Sequence, residues 1–134
     1  MLPITNKTNY RVRYADTDQM GVMYYGNYGR LFEIGRTEMI REMGMPYREL
    51  EQSGVSMPVY SVNSRYLNKL VYDELITIET TVSELPAARM TFLHRIYNEN
   101  GNLAHEATVV LVFLDARTNR PVRAPQMLLE LLEG

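Results

Sequence analysis

Only one long stretch of this chain has a helical period. Tyr28, Leu31, Phe32, Gly35 and Met39 recur at i, i+3, i+4 spacing, and Ile40 and Met43 continue the stripe. Arg30, Glu33, Arg36, Glu38, Arg41 and Glu42 fill much of the remaining surface. Asn27 fits an N-cap, and Gly44 with Pro46 two residues on reads as a stop. At 1.5 Å per residue the predicted helix is roughly 25 Å long. Almost everything after it has the period of a strand. Val59–Leu70, Leu75–Leu85, Arg89–Tyr97 and Leu103–Leu114 read as strands, with Ile76, Ile78, Thr80 and Val82 on one face of the second. Asn98-Glu99-Asn100-Gly101 is a hairpin signal, and Pro86-Ala87-Ala88 a turn. The run VVLVFL ending at Leu114 is apolar on both faces, which predicts a central or doubly covered strand. Tyr10–Tyr14 alternates apolar and basic residues and predicts one more strand ahead of the helix. Pro46–Gln52 predicts one or two helical turns, 115–125 a polar loop, and 126–132 a short closing helix. Tight connections make neighbouring strands antiparallel, and a single amphipathic helix must bury its stripe on their sheet. The expected fold class is therefore α+β, as one domain over residues 1–134.

Composition excludes several functions. The formal net charge is −2, without the basic footprint that duplex binding requires, so no nucleic-acid partner is expected. The absence of cysteine removes disulfide scaffolds, thiolate nucleophiles and thiolate metal sites. The first ten residues lack a basic segment followed by an apolar one, and no apolar run approaches the ~20 residues of a membrane span. These features predict a cytoplasmic chain with no membrane span.

The stretch 16–28 (DTDQMGVMYYGNY) is unlike an ordinary connection. It places carboxylates at Asp16 and Asp18, a flexible Gly21, and an apolar-aromatic run directly before the helix. The first N–H groups of a helix lack internal partners and its dipole favours negative charge there. Such groups polarise a carbonyl or hold an oxyanion, and a nearby carboxylate can attack that carbonyl or deprotonate water. These are minimal parts for ester or thioester hydrolysis. On spacing alone, Asp-x-Asp before a helix is more often loop and capping chemistry.

The run 14–28, followed by Leu31-Phe32-Glu33 and Arg36-Thr37-Glu38-Met39, closely resembles the hot-dog-fold acyl-CoA thioesterases. More narrowly it resembles the 4-hydroxybenzoyl-CoA thioesterase group and the Tol-Pal-associated acyl-CoA thioesterases. Asp16, Asp18, Gly21, Val22, Tyr24, Tyr25 and Tyr28 meet the family pattern. Tyr66, Asp73-Glu74-Leu75, Arg95-Ile96-Tyr97-Asn98 and the 120–125 tail extend the likeness over nearly the whole chain. The resemblance implies a curved antiparallel sheet wrapped around one long central helix, and homo-oligomers (dimers or homotetramers) with active sites at the subunit interface. It implies an acyl-CoA substrate, with no cofactor beyond the coenzyme A that the substrate carries. Asp18 falls on the catalytic position, as nucleophile or general base, and the backbone N–H of Tyr25 on the group that polarises the thioester carbonyl. Gly21, Val22, Tyr24 and Tyr28 would contact substrate. The Tol-Pal-associated branch usually has His where this chain has Tyr25, so an imidazole role there is excluded while the N–H role survives.

Other residues carry weaker signals. Arg65, Lys69, Arg89, Arg95 and Arg123 could meet the phosphates of coenzyme A, Lys69 and Arg89 first, with Met90 in the turn where the family contacts pantetheine and nucleotide. Met20 and Met23 could join Tyr24 and Tyr28 in an adaptable acyl pocket. His94 and His105 fall in strand patterns and read as core residues, so no metal site is expected. Glu33 on the helix reads as part of a solvated or ion-paired face, with assistance to catalysis as the alternative. The alternatives to acyl-CoA hydrolysis are a non-catalytic hot-dog oligomer that binds acyl-CoA, and hydrolysis of acyl-carrier-protein thioesters.

Overall fold

The computed structural model describes residues 2–45 and 47–134. Strand β1 (Ile4–Arg11) is followed by helix α1 (Tyr28–Glu42) and a short helix α2 (Tyr47–Gln52). Then come β2 (Val55–Ser56), β3 (Val59–Tyr66), β4 (Leu75–Val82), β5 (Arg89–Tyr97), β6 (Leu103–Val112), β7 (Leu114–Asp115) and helix α3 (Gln126–Glu133). Five strands form one antiparallel sheet in the order β1-β4-β5-β6-β3, and β2 pairs with β7 apart from it.

Period-2 alternation sets the inner face of the sheet. Ile76, Ile78, Thr80 and Val82 of β4 are buried, as are Met90, Phe92, His94 and Ile96 of β5 and Ala107, Val109 and Leu111 of β6. The stripe of α1 closes on them with Tyr28, Leu31, Phe32, Met39 and Ile40. The helix can lie this close because residue 35 is glycine. A Cβ there would stand 2.9 Å from Ile78 Cγ2 and 3.3 Å from His94 Nδ1.

The two core histidines sit among aromatic rings. His94 stacks on Phe32 at 5.0 Å and its Nδ1 lies 3.1 Å from the Thr80 hydroxyl. His105 stacks on Tyr28 at 4.1 Å, with Nε2 3.1 Å from the Ser64 hydroxyl. The outer face carries charge in register. Lys7, Glu79, Arg95, Glu106 and Arg65, one from each strand in sheet order, form a ladder with successive contacts of 3.9, 3.9, 3.0 and 3.1 Å.

Several elements depart from expectation. The first strand is Ile4–Arg11, whereas Tyr10–Tyr14 was expected, and Tyr14–Asp16 instead form a 3₁₀ turn. β1 is an edge strand whose inward positions include Asn6 and Thr8, so its half-buried face lacks an apolar signature. Asn27 does stand at the N-cap of α1, but its side chain makes no cap; it donates to the Asp16 carbonyl at 2.8 Å. The turn before it, Tyr25–Asn27, is 3₁₀ and runs straight into the helix. β3 ends at Tyr66, short of Leu70, and the proposed stop at Pro46 lies outside the described residues.

Candidate active site

The segment between β1 and α1 folds back on itself. Thr17 bridges Met23, Val22 bridges Val71, and the Met23 N–H donates to the Leu70 carbonyl at 2.7 Å. Within this loop the Asp18 N–H donates to the Val22 carbonyl (2.9 Å), and the Gly21 N–H donates to the Asp18 carbonyl (3.0 Å). Closing so tight a turn needs the left-handed backbone of Gly21, φ +78°. The Asp18 carboxylate is partly exposed and receives the Met20 N–H at Oδ1, 2.8 Å, which fixes its rotamer. Its other oxygen has no hydrogen-bond partner among the described residues.

The loop then delivers the chain to the start of α1. The Tyr24 N–H is tied to the Asp16 carbonyl at 2.9 Å, and the Asn27 N–H to the Tyr24 carbonyl at 2.9 Å. The N–H groups of Tyr25 and Gly26, between them, have no partner among the described residues. They are therefore free donors at the positive end of the helix. The Tyr24 ring lies over Gly26, where a Cβ would approach its Cε2 to 2.6 Å, and packs against the Tyr25 ring at 4.8 Å. Nothing in the residue pattern marked Gly26 for this part.

Beside these donors is a pocket of about 300 Å³ lined by Val22, Met23, Tyr25, Tyr28, Leu67 and Lys69, with Tyr66 and Asn68 completing the wall. Tyr28 forms part of it edge-on to Tyr66, 5.1 Å between centroids. Burial first, and then Tyr66, push the Tyr28 hydroxyl up to about 12, so it stays protonated. Asp18 is not one of the lining residues; its N–H is bonded to the carbonyl of Val22, which is.

Of the residues singled out in the sequence, Val22, Tyr25, Tyr28 and Lys69 line this one pocket, Asp18 and Gly21 lie in the loop that bonds to Val22, and Tyr24 is not among the lining residues. Met20 is exposed on the loop and Met23 lines the pocket. Arg89 and Met90 stand elsewhere. Met90 pairs with Leu111 while Tyr66 pairs with His105, six positions away along β6, which is about 20 Å at 3.3 Å per residue. Met90 is an inward residue of β5 and lies in the core, and the Arg89 guanidinium stacks over the Tyr60 ring at 4.2 Å. Arg65 and Arg95 belong to the ladder on the outer face. Glu33 is exposed and makes no ion pair among the described residues. His94 and His105 are fully buried, and among the described residues no group of three His, Asp or Glu side chains is placed to hold a metal ion.

A long helix on an antiparallel sheet, with a carboxylate loop feeding its N-terminus, defines a hot-dog thioesterase fold. The chain belongs to the Thioesterase-like superfamily, which matches residues 12–132. It is 34% identical over 118 residues to YneP of Bacillus subtilis, covering 88% of this chain and 86% of that one. It is 30% identical over 116 residues to the acyl-CoA thioester hydrolase YbgC of Escherichia coli, covering 87% of each. Among solved structures, the DHNA-CoA thioesterase from Staphylococcus aureus superposes with a TM-score of 0.89 at 32% identity, over 96% of this chain and 87% of that one. The protein is an enzyme of the thioester-hydrolase class.

Proposed function

We propose that this protein hydrolyses acyl-CoA thioesters to the free acid and coenzyme A, with Asp18 and the Tyr25 N–H as its reacting groups. The observation that carries the reading is the pair of unpartnered N–H groups at Tyr25 and Gly26, opening the helix beside the Asp18 loop. The thioester carbonyl accepts from the Tyr25 N–H, which stabilises the negative charge that gathers on its oxygen. Asp18 either attacks the polarised carbon, expelling the coenzyme A thiolate and leaving an anhydride that water then hydrolyses to the acid, or takes a proton from a water that attacks the carbon as the carbon–sulfur bond breaks and the thiolate leaves. No metal or added cofactor enters these steps. Lys69 lines the pocket, which supports a role for it in meeting a phosphate of the incoming coenzyme.

The site works as part of a homo-oligomer. Among the described residues β3 is the last strand on one side of the sheet, and Val59, Tyr60, Val62 and Tyr66 are each about half exposed. A second copy adding its own β3 antiparallel to this edge continues the sheet. It also reverses the direction of β3, carrying the second copy's Arg89 end toward the first copy's Tyr66–Lys69 end. Between copies, that pairing makes up for the separation that keeps Arg89 from Asp18 within one chain.

The test is thiol release followed with a chromogenic disulfide reagent, against short, long and aromatic acyl-CoAs. The chain has no cysteine, so it contributes no background. Asp18→Asn keeps the fold and lowers turnover at least about a hundredfold, the low end for such groups. Near-normal turnover in that variant removes Asp18 from the mechanism. Silence of the wild type across the panel turns the reading toward carrier-protein thioesters or a binding-only oligomer.

A further inference from the structure

The first carboxylate of the motif does different work from the second. Asp16 is 2% exposed, and both ends of the residue are fully engaged. Its carboxylate receives the Tyr10 hydroxyl of β1 at 2.7 Å and the Arg13 N–H at 2.8 Å, both on Oδ2, and the Arg30 guanidinium of α1 on Oδ1. Arg30 also donates to the Tyr10 oxygen at 3.0 Å, closing a triangle. The Asp16 carbonyl accepts the Tyr24 N–H at 2.9 Å and the Asn27 side-chain amide at 2.8 Å. Burial would raise the carboxyl, but the Arg13 N–H, the Tyr10 hydroxyl and Arg30 together hold it below its usual range.

One residue thus grips the end of β1, the turn before Asp18, the turn before Tyr25 and the first full turn of α1. Asp18 follows Asp16 by two residues. The N–H that Asp16 ties down, on Tyr24, is the one immediately before the free N–H of Tyr25. Both reacting groups hang from the same anchor, so their separation depends on it.

Resting on the thioesterase reading, we propose that Asp16 is the positioning residue of this site, fixing Asp18 relative to the Tyr25 N–H through its bonds to Tyr10, Arg30, Tyr24 and Asn27. It touches no substrate. A neutral amide at position 16 cannot reproduce three donors on one ionised carboxylate, and the freed loop shifts Asp18 away from the carbonyl it must reach. Misplacement of a reacting group by about 1 Å costs about a hundredfold in rate. The loss falls mainly on turnover, because the Tyr66–Lys69 side of the pocket, with its cation Lys69, is carried by β3 and the segment after it and makes no bond to Asp16.

The experiment measures kcat and KM for thiol release by wild type, Asp16→Asn, Tyr10→Phe and Asn27→Ala, each checked for folding by circular dichroism at the assay temperature. Asp16→Asn lowers kcat about tenfold to a hundredfold with KM changed less than about threefold. Tyr10→Phe and Asn27→Ala, which each remove one bond to the anchor, lower kcat by smaller factors with KM likewise held. If Asp16→Asn does not fold, these two milder variants decide the matter. Folded variants with wild-type kcat overturn the proposal, as does a loss that only tracks the unfolded fraction. An inactive wild type instead defeats the thioesterase reading itself, so the two failures are distinct.

Discussion

At the scale of single residues, the core holds more polar chemistry than its packing requires. His94 and His105 are completely enclosed, and His94 Nε2, His105 Nδ1 and Arg36 Nε have no partner among the described residues. Burial, and then Arg36, push the His94 imidazole down to about 3, and burial alone pushes His105 down to about 4. Both rings are therefore neutral in the fold, whereas an unfolded imidazole titrates near 6.5. A depressed folded pKa gives stability that is present above the unfolded value and drains away as pH falls toward the folded one. Each histidine contributes a slope of up to about 1.4 kcal/mol per pH unit across that window. Urea denaturation at pH 7.5, 6, 5 and 4.5 checks this: stability falls steadily below about 6.5, and His105→Gln flattens the slope. An unchanged slope in that variant assigns the acid sensitivity elsewhere. Legibility in the sequence divides along the same line. The phase of the strands was enough to put both histidines inward. The grip of Asp16 was not legible, because it joins Tyr10, Arg30 and Asn27 across a reversal of the chain that no local period reveals.

At the scale of elements, the sheet carries two faces of opposite character in one set of strands. Inward positions are mostly apolar, and outward ones carry Lys7, Glu79, Arg95, Glu106 and Arg65 side by side. Arg95, bonded first to Glu106, and Glu106, bonded first to Arg95, hold each other in the charged state. The terminal Lys7 and Arg65 side chains are about two-thirds exposed and add little, as exposed ion pairs do. Arg95 is the position on which the ladder turns, since its loss removes the cation between Glu79 and Glu106, which stand on either side of β5. Arg95→Met therefore lowers the melting temperature at low salt, and the deficit narrows as ionic strength rises to about 1 M, where screening acts within about 3 Å. A deficit independent of salt would trace the effect to lost packing of the side chain. β5 and its hairpin to β6 were legible in full, because strict alternation meets an Asn-Gly turn there. β1 was displaced, because an edge strand with Asn6 and Thr8 facing inward offers no apolar alternation to read. The ladder needed strand order as well as strand phase, and order is settled only when β3 pairs with β6.

At the scale of the whole molecule, the distribution of charge and apolar surface along the sheet edges sets how copies meet. β1 ends the sheet on one side with polar side chains, while β3 ends it on the other with exposed valines and tyrosines. Such an edge is a template for another strand unless it is charged or covered. With the oligomer proposed above, Val62→Asp shifts the protein toward monomer in sedimentation velocity and lowers thiol release in proportion. A monomer that keeps full activity would show the single-chain site to be sufficient. The site follows the same logic of scale. A short motif was enough to single out Asp18 and Tyr25 as candidates, whereas the distance of Arg89 from the Tyr66 end of the sheet depends on strand register over some 20 Å.

The place of β3 also runs against the order in which the chain is made. It is the second long strand to be synthesised, yet β6, its one ladder partner among the described residues, ends 46 residues after Tyr66. At ribosomal speeds of about 5–20 residues per second, those valines and tyrosines wait roughly 2–9 s with both edges open. Codon choice between residues 67 and 112 thus acts as a clock on this strand, and slow codons there lengthen its exposure to neighbouring nascent chains.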